Sequence, residues 1–391
     1  MERIGIFGGS FDPPHIGHIA AARAAVDTLG LDRLLLIPAA QAPHKSGSFA
    51  DGAHRLALLR LAAAELPAAA VSDLELRRAG PSYSYETVAA VRQQYPEAEL
   101  FLLMGSDMFL SFQGWKHPEA ILEQATLAVL YRGDRDERTK VAEAKAELEA
   151  GGHRVRLIEN DAVEISSTQL RRLLAFRAAE EFLPAGAGDY LREQGLYQVD
   201  AQWKQLPMPA LEQVVISLLK PSRVAHVLGC RDTCVALARR WGVDETDAAR
   251  AGILHDVTKA LDGPLQLTLC RSYGTVLDDF SLRYPKTLHA LTGSLVARRI
   301  FGENDAVVAA IECHTTGKAA MNMLEKILYV ADYMEPNRDF PGVERLRRLA
   351  FTDMDAALEL GLRMTLEHLA RQGAEVSPAS RAALEYLGSP V

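Results

Sequence analysis

At 391 residues the chain is longer than one usual domain, so two domains, each with its own core, are expected. An apolar fraction of 48% and a charged fraction of 24% are those of an ordinary globular protein, and no window reaches the roughly 18 apolar residues that span a bilayer. A net charge of -8 excludes a general nucleic-acid binder, which needs clustered Lys and Arg, so any anionic ligand must be met by local positive sites.

The N-terminus, Met1 to Phe7, has no basic stretch followed by a long apolar run, and a cytoplasmic location without membrane association is expected. Up to about residue 195, short β-rich runs alternate with helical patterns. The runs are "RIGIF", "RLLLIP", "VSDLEL", "AELFLLMG", "TLAVLY" and "RVRLIE", with "DGAHRLALLRLAAAE" and "SYETVAAVRQQY" between them. That order implies βαβ units, a mostly parallel sheet, and a ligand beyond the carboxyl ends of the strands. The run "VAEAKAELEA", 141 to 150, reads as a solvated helix. After "YLREQGLYQVDAQWKQLPMP" the texture changes, and from Leu211 almost every segment has helical period. The expected division is a domain over 1–200, a linker over 201–210 where Pro207 and Pro209 interrupt the pattern, and a second domain over 211–391. The cysteines Cys230, Cys234, Cys270 and Cys313 form no CxxC pair and read as reduced, buried thiols.

Chemistry concentrates first at "RIGIFGGSFDPPHIGHIAAARAA", residues 3 to 25. Gly8 and Gly9 after a strand let the backbone approach a ligand, and the following helix offers free N–H groups and a positive dipole end. His15 and His18, about one turn apart, point the same way, and the whole forms a phosphate cradle. Neither GxGxxG nor GxxxxGK[ST] is present, so dinucleotide binding of that kind and P-loop chemistry are unsupported. About 150 residues later, "ISSTQLR" opens a helix with Ser166, Ser167 and Thr168, and Arg171 can grip the same anion with a planar fork.

The string "GGSFDPPHIGH", with Gly8, Gly9, Ser10 and Phe11 ahead of the His15-Ile16-Gly17-His18 motif, resembles the signature of the HxGH nucleotidyltransferase superfamily. "ISSTQLR" is similar to that superfamily's ISSTxIR element, with Leu170 in place of Ile. "PAAQAPHKSG", "RRAGPSYSYETV", "LMGSDMF" and "FQGWKHP" resemble, in order and spacing, the elements of bacterial nicotinate-nucleotide adenylyltransferases. The resemblance covers residues 3 to 197. It implies a Rossmann-like parallel sheet of nucleotidyltransferase type and two substrates, ATP with its Mg²⁺ and nicotinate mononucleotide. The pyridine ring would stack on Trp115, with the Ser84 hydroxyl and the Lys116 backbone N–H on its carboxylate. His44 and Lys45 would lie near the phosphates, and Gly105 and Asp107 at the adenosine ribose. The implied reaction is attack of the mononucleotide phosphate on the α-phosphorus of ATP, stabilised by Mg²⁺, His15, His18, Lys45 and Arg171, with Ser167 and Thr168 at the phosphate. Another phosphorylated acceptor is the alternative.

In the second half His226, the adjacent His255 and Asp256, His289, His314 and Asp332 fall on successive helices, so ions held between helices are within reach of all six. "SRVAHVLG", "GILHDVTK", "HALTGSLVA", "CHTTG" and "YVADYMEPNR" resemble the HD phosphohydrolase superfamily, specifically its small bacterial symmetrical diadenosine-tetraphosphate hydrolases, over about 211 to 385. The resemblance implies an all-α HD-type domain. His226, His255, Asp256 and Asp332 would hold one ion, and His289 and His314, with Asp256 bridging, a second. Imidazole and carboxylate ligands suit iron, the expected metal, as well as manganese or zinc. Two ions sharing a water would direct hydrolysis at phosphorus. Lys259 and Arg338 could neutralise the polyphosphate. The alternatives are another HD nucleotide hydrolase, acting for example on guanosine alarmones, and a non-enzymatic regulatory module.

Overall fold

Continuous apolar runs along the strands require a sheet covered on both faces, and a six-stranded parallel sheet is found. Its strands are β1 (Arg3–Gly9), β2 (Arg33–Pro38), β3 (Ala69–Val71), β4 (Glu99–Gly105), β5 (Thr126–Tyr131) and β6 (Val155–Glu159), in the order β3-β2-β1-β4-β5-β6. The computed structural model describes residues 1–41, 50–78, 80–131, 135–160 and 165–388; His44 and Lys45 lie outside them. Ile4 and Ile6 of β1 join Leu100, Leu102 and Met104 of β4 in the core on one face. Phe101 and Leu103 turn to the other, with Leu34 and Leu36 of β2 and the Ala-rich helix Ile16–Leu29. The period of two thus places one core on each face.

The strand order reverses between β1 and β4, and a parallel sheet opens a crevice beyond the carboxyl ends at such a switch point. Gly8 and Gly9 end β1 there, and Gly105 ends β4. Two details of the sequence reading change. The "VSDLEL" strand ends at Val71, because Ser72 Oγ accepts from Leu74 N and the chain turns, Arg77 N bonding Asp73 O and Arg78 N bonding Glu75 O. The helix Arg135–Ala150 is not solvated all round: Val141 is fully buried, and Ala144 and Leu148 pack beside it.

Internal contacts divide the chain into Met1–Asp200 and Ala201–Val391. Among the described residues the second unit contains helices and no strand. Residues 201–210, expected as a linker, pack into that unit. Trp203 stacks on Phe301 with centroids 5.6 Å apart, and Gln205 N donates to Phe301 O. Its site is carried by the helices Val224–Trp241, Glu245–Leu254, Leu288–Val296, Asp305–Cys313 and Met323–Met334. All four cysteines are buried and unpaired, and among the described residues no helix is long and apolar enough to cross a membrane.

Helix Glu245–Leu254 presses on Val224–Trp241 so closely that a Cβ on Gly252 would lie 2.7 Å from Arg231 Cα. Gly252→Ala therefore lowers stability by about 1–3 kcal/mol through overpacking, despite the better helix propensity of alanine. Thermal unfolding followed by circular dichroism checks this.

Candidate functional site

In the first unit the loop leaving β1 is built around carbonyl oxygens that need donors. Arg55, 2% exposed, sends Nη1 to Ser10 O (2.8 Å) and Ala39 O (2.7 Å) and Nε to Ala50 O (3.1 Å). Arg171 Nη1 donates to Asp12 O (2.5 Å) and Nη2 to Thr168 Oγ1 (3.0 Å), while Ser167 Oγ donates to Pro13 O (3.0 Å). The two signatures, about 150 residues apart in sequence, are one structure. Ser166 caps the second helix by accepting from Gln169 N, so Ser167 and Thr168 stand in its first turn, where the dipole end is positive. Burial lowers the pKa of Arg171, which Asp12 opposes, and the guanidinium stays charged.

His15 and His18 begin helix Ile16–Leu29 with ring centroids 3.7 Å apart, and His18 Nδ1 accepts from His15 N at 3.2 Å. Phe11 underlies them, its ring 5.0 Å from His18. A Cβ on Gly8 would meet no atom within 4 Å, whereas one on Gly9 would press the Phe11 ring at 3.2 Å. Gly8 thus leaves backbone open to a ligand, and Gly9 makes room for the aromatic support. At β4, a Cβ on Gly105 would lie 2.7 Å from Asp107 Oδ1, so glycine lets that carboxylate fold back over the strand end.

Beside these, Lys116 Nζ lies 4.2 Å above the Tyr83 ring, His117 meets Tyr85 at 4.9 Å, and Trp115 and Tyr85 pack on the same core. Ser84, between the two tyrosines, opens helix Ser84–Gln94. Trp115, Lys116 and Ser84 thus lie about the same pair of tyrosines. The Trp115 indole Nε1 is buried with no hydrogen-bond partner, a donor available to a polar group.

In the second unit six chemistry-bearing residues converge. His226 Nε2 lies 3.1 Å from Asp332 Oδ1, 3.3 Å from His255 Nε2 and 3.8 Å from Asp256 Oδ2, and His255 Nε2 lies 3.6 Å from Asp256 Oδ2. The other Asp256 oxygen, Oδ1, faces His289 Nε2 (3.6 Å) and His314 Nε2 (3.9 Å). Two groups have ligand atoms within 4.8 Å of one another: His226, His255 and Asp332, and His255, Asp256 and His314. The second differs from the expected set of His289 and His314 with Asp256 bridging: His255 stands in it in place of His289.

The Nδ1 atoms explain why the Nε2 atoms point inward. His255 Nδ1 donates to Gly252 O (2.8 Å), His289 Nδ1 to Lys286 O (2.8 Å) and His314 Nδ1 to Ile311 O (2.7 Å). A carbonyl only accepts, so each neutral ring keeps its lone pair on Nε2, the state a metal ligand needs. His226 instead meets the buried carboxylate of Glu335 (3.0 Å). Burial, with Lys259 adding to it, pushes His289 down to about 3, and burial with His255 pushes His314 down to about 4. His255 differs: burial pulls it down, but Cys230, Asp256 and Asp332 raise it to about 9, and an ion bound there would displace that proton. Burial favours the protonated form of both carboxylates, yet His255 at Asp256 and the His226 bond at Asp332 hold them low.

Three cations border the cluster. Lys259 Nζ is 2.7 Å from His289 Nε2, Arg338 Nη2 is 2.8 Å from Asp332 Oδ1, and Arg223 is paired with Asp256. Sequence reasoning missed Arg223 and Glu335, although both stand within the quoted motifs "SRVAHVLG" and "YVADYMEPNR". It also missed Arg55, whose signal is its place at i, i+3, i+4, i+7 with Leu58, Leu59 and Ala62 on a buried face.

Residues 6–173 match the cytidylyltransferase-like family and residues 223–337 the HD domain family. A probable nicotinate-nucleotide adenylyltransferase of Neisseria meningitidis is 40% identical over 202 residues, 51% of this chain and 100% of the relative. Its counterpart in Aeromonas salmonicida is 42% identical over 210 residues, 50% of this chain and 98% of the relative. A crystal structure of a predicted HD superfamily hydrolase involved in NAD metabolism from Clostridium acetobutylicum is 35% identical, covering 46% of this chain and 97% of that one, with a TM-score of 0.46.

Glu335 accepts from His226 Nδ1, which fixes the tautomer and leaves Nε2 facing the cluster. Glu335→Gln is therefore expected to weaken the affinity of the second unit for Mn²⁺ by roughly 10- to 100-fold, read by calorimetric titration, with helical content unchanged.

Proposed function

The chain belongs, through its N-terminal half, to the nicotinate-nucleotide adenylyltransferase family, and from that premise we propose that it transfers AMP from ATP to nicotinate mononucleotide, giving nicotinate adenine dinucleotide and pyrophosphate. The observation that carries the reading is the union of the two signatures. Ser167 and Arg171 hold the backbone of Asp12 and Pro13, next to His15 and His18, at the switch point of the sheet. The mononucleotide phosphate is itself the nucleophile, so no side chain needs to form a covalent bond. The protein supplies position and charge: His15, His18 and the helix end beside the transferring phosphoryl group, Arg171 and Thr168 opposite, and Mg²⁺ arriving with ATP. Lys45 and His44 are assigned to the same phosphates. The neighbourhood of Ser84, Trp115 and Lys116 suits a flat ring carrying a carboxylate, which favours nicotinate mononucleotide over another phosphorylated acceptor.

For the second unit the proposed activity is hydrolysis of diadenosine tetraphosphate to two ADP. The supporting observation is Asp256, whose two oxygens face different pairs of histidines, the arrangement of a carboxylate bridging two ions. His226, His255 and Asp332 would hold one ion, with His289 and His314 on the other side of the Asp256 bridge. Such a pair supplies a Lewis acid and a water of lowered pKa, and iron, manganese and zinc all suit the ligand set. The chain's own part is to keep every Nε2 aimed inward and to surround the cluster with Arg223, Lys259 and Arg338. Three cations match a polyphosphate better than a monoester.

His18→Ala should lower kcat for adenylyl transfer about 100-fold or more while KM for ATP changes little, because the imidazole acts on charge that develops in the transition state; a pure KM effect contradicts the role. Asp256→Ala should abolish diadenosine-tetraphosphate cleavage and leave adenylyl transfer intact. Ion-exchange separation of the products decides the rest. ADP alone supports symmetrical cleavage, AMP with ATP excludes it, and no turnover directs the search to guanosine nucleotides or to a regulatory module.

A further inference from the structure

Asp12 gathers more partners than a loop residue needs. Its side-chain Oδ1 accepts from Tyr197 Oη at 2.6 Å and from Ala50 N at 3.2 Å, its carbonyl accepts from Arg171, and it is 4% exposed. Tyr197 comes from the last turn of the first unit, Leu196–Gln198, which lies against helix Ser167–Ala175. The match to the cytidylyltransferase-like family ends at residue 173, ahead of Tyr197.

The backbone at Tyr197 is unusual. Tyr197 has φ +51° and Gln198 φ +62°, two successive non-glycine residues in the left-handed region. Such a conformation persists only where the surroundings over-determine it, and it clusters at functional sites. Here the hydroxyl bond to Asp12 is the visible determinant. Burial raises the phenol pKa and the bond to Asp12 adds to it, so the hydroxyl stays protonated and donates.

We propose that Tyr197 is a positioning residue for adenylyl transfer: its hydroxyl locks the Asp12 carboxylate and so fixes the loop that aims His15, His18 and Arg171 at the phosphates. The proposal rests on the adenylyltransferase reading. The three anchors on Ser10, Asp12 and Pro13 hold carbonyls, whereas Tyr197 and Ala50 N hold the one side chain between them. Without the hydroxyl the carboxylate loses its 2.6 Å bond to Tyr197, and the loop is held less tightly. A misplacement of a fraction of an ångström at the loop is felt where alignment matters most, in the transition state. Ground-state affinity depends more on the Trp115, Ser84 and Lys116 neighbourhood, which the change does not touch.

The test is steady-state kinetics of the full chain with ATP and nicotinate mononucleotide. Tyr197→Phe is expected to lower kcat about 10-fold, leaving both KM values within about 2-fold and Tm within about 2 °C of the wild type. Asp12→Ala, which removes the accepting oxygen, should lower kcat at least as much, and the double variant should be no worse than Asp12→Ala alone, since both single variants remove the same hydrogen bond. An unchanged kcat, a rise in KM alone, or additive losses overturn the positioning role. So does a kcat loss that vanishes when rates are normalised to the fraction of folded enzyme. A wild type active in the same assay ties those failures to Tyr197; a wild type inert toward every acceptor removes the adenylyltransferase reading and the proposal with it.

Discussion

Unpaired backbone carbonyls at the end of a buried strand are the constraint on which the first site depends. A loop that passes from β1 into a helix end must turn polar atoms inward, and each one left unpaired costs about 1–3 kcal/mol. Arginine solves this better than any other side chain, because its fork offers several donors in fixed directions. Arg55 takes three carbonyls from three segments, and Arg171 takes one carbonyl and one hydroxyl. Burying Arg55 disfavours its charge, and Asp12 partly offsets that. Arg55 thus holds the loop from beneath without facing a ligand, while Arg171 ties it to the second signature.

The second unit applies the same rule to imidazoles. A histidine in a helix can point either nitrogen at a ligand, and the choice is made by what the other nitrogen meets. In His255, His289 and His314 it meets the carbonyl three residues back, so the local helical turn orients the ring. His226 relies on Glu335, which reaches it because Gly229, one turn further along the helix, has no Cβ; one placed there would lie 2.5 Å from Glu335 Oε2. Asn337 donates to that second oxygen through its backbone N and its side-chain nitrogen. Arg347 in turn binds the carbonyls of Met334, Glu335 and Arg338, so the segment carrying both Glu335 and Arg338 is held as a unit.

Legibility differed by element for physical reasons. β2 and β5 stand where "RLLLIP" and "TLAVLY" read, because a strand buried on both faces is a continuous apolar run. β3 was misplaced because Ser72 and Asp73 interrupt the run, Ser72 Oγ accepting from Leu74 N and the Asp73 carboxylate from Arg77 Nε. The histidines of both sites were legible as motif members, and their convergence follows from the fold. Arg55 was hidden because an arginine in a helix usually faces water, and only its position on an apolar stripe says otherwise. Tyr197 had no signal at all: a tyrosine near a domain's end acquires its role only when the chain folds back on Asp12. His44 and Lys45 fall outside the described residues, so their placement rests on sequence.

An acidic chain that handles phosphates must concentrate positive charge locally, and the two units do so by different means. In the first, a helix end, His15 and His18, and Arg171 gather at the loop that follows β1, a dispersed set suited to a transfer in which both reactants bring their own anions and water is unwanted. In the second, Asp256 is buried and Asp332 half-buried among histidines and cations, a set that presents carboxylates as well as positive charge. Carboxylates inside a ring of cations make sense when an ion stands between them and the substrate, since the ion reverses the sign of the field the phosphate meets. The same chemistry of phosphate esters therefore calls for preorganised donors where a group is to be passed on, and for anionic ligands where water is to be activated.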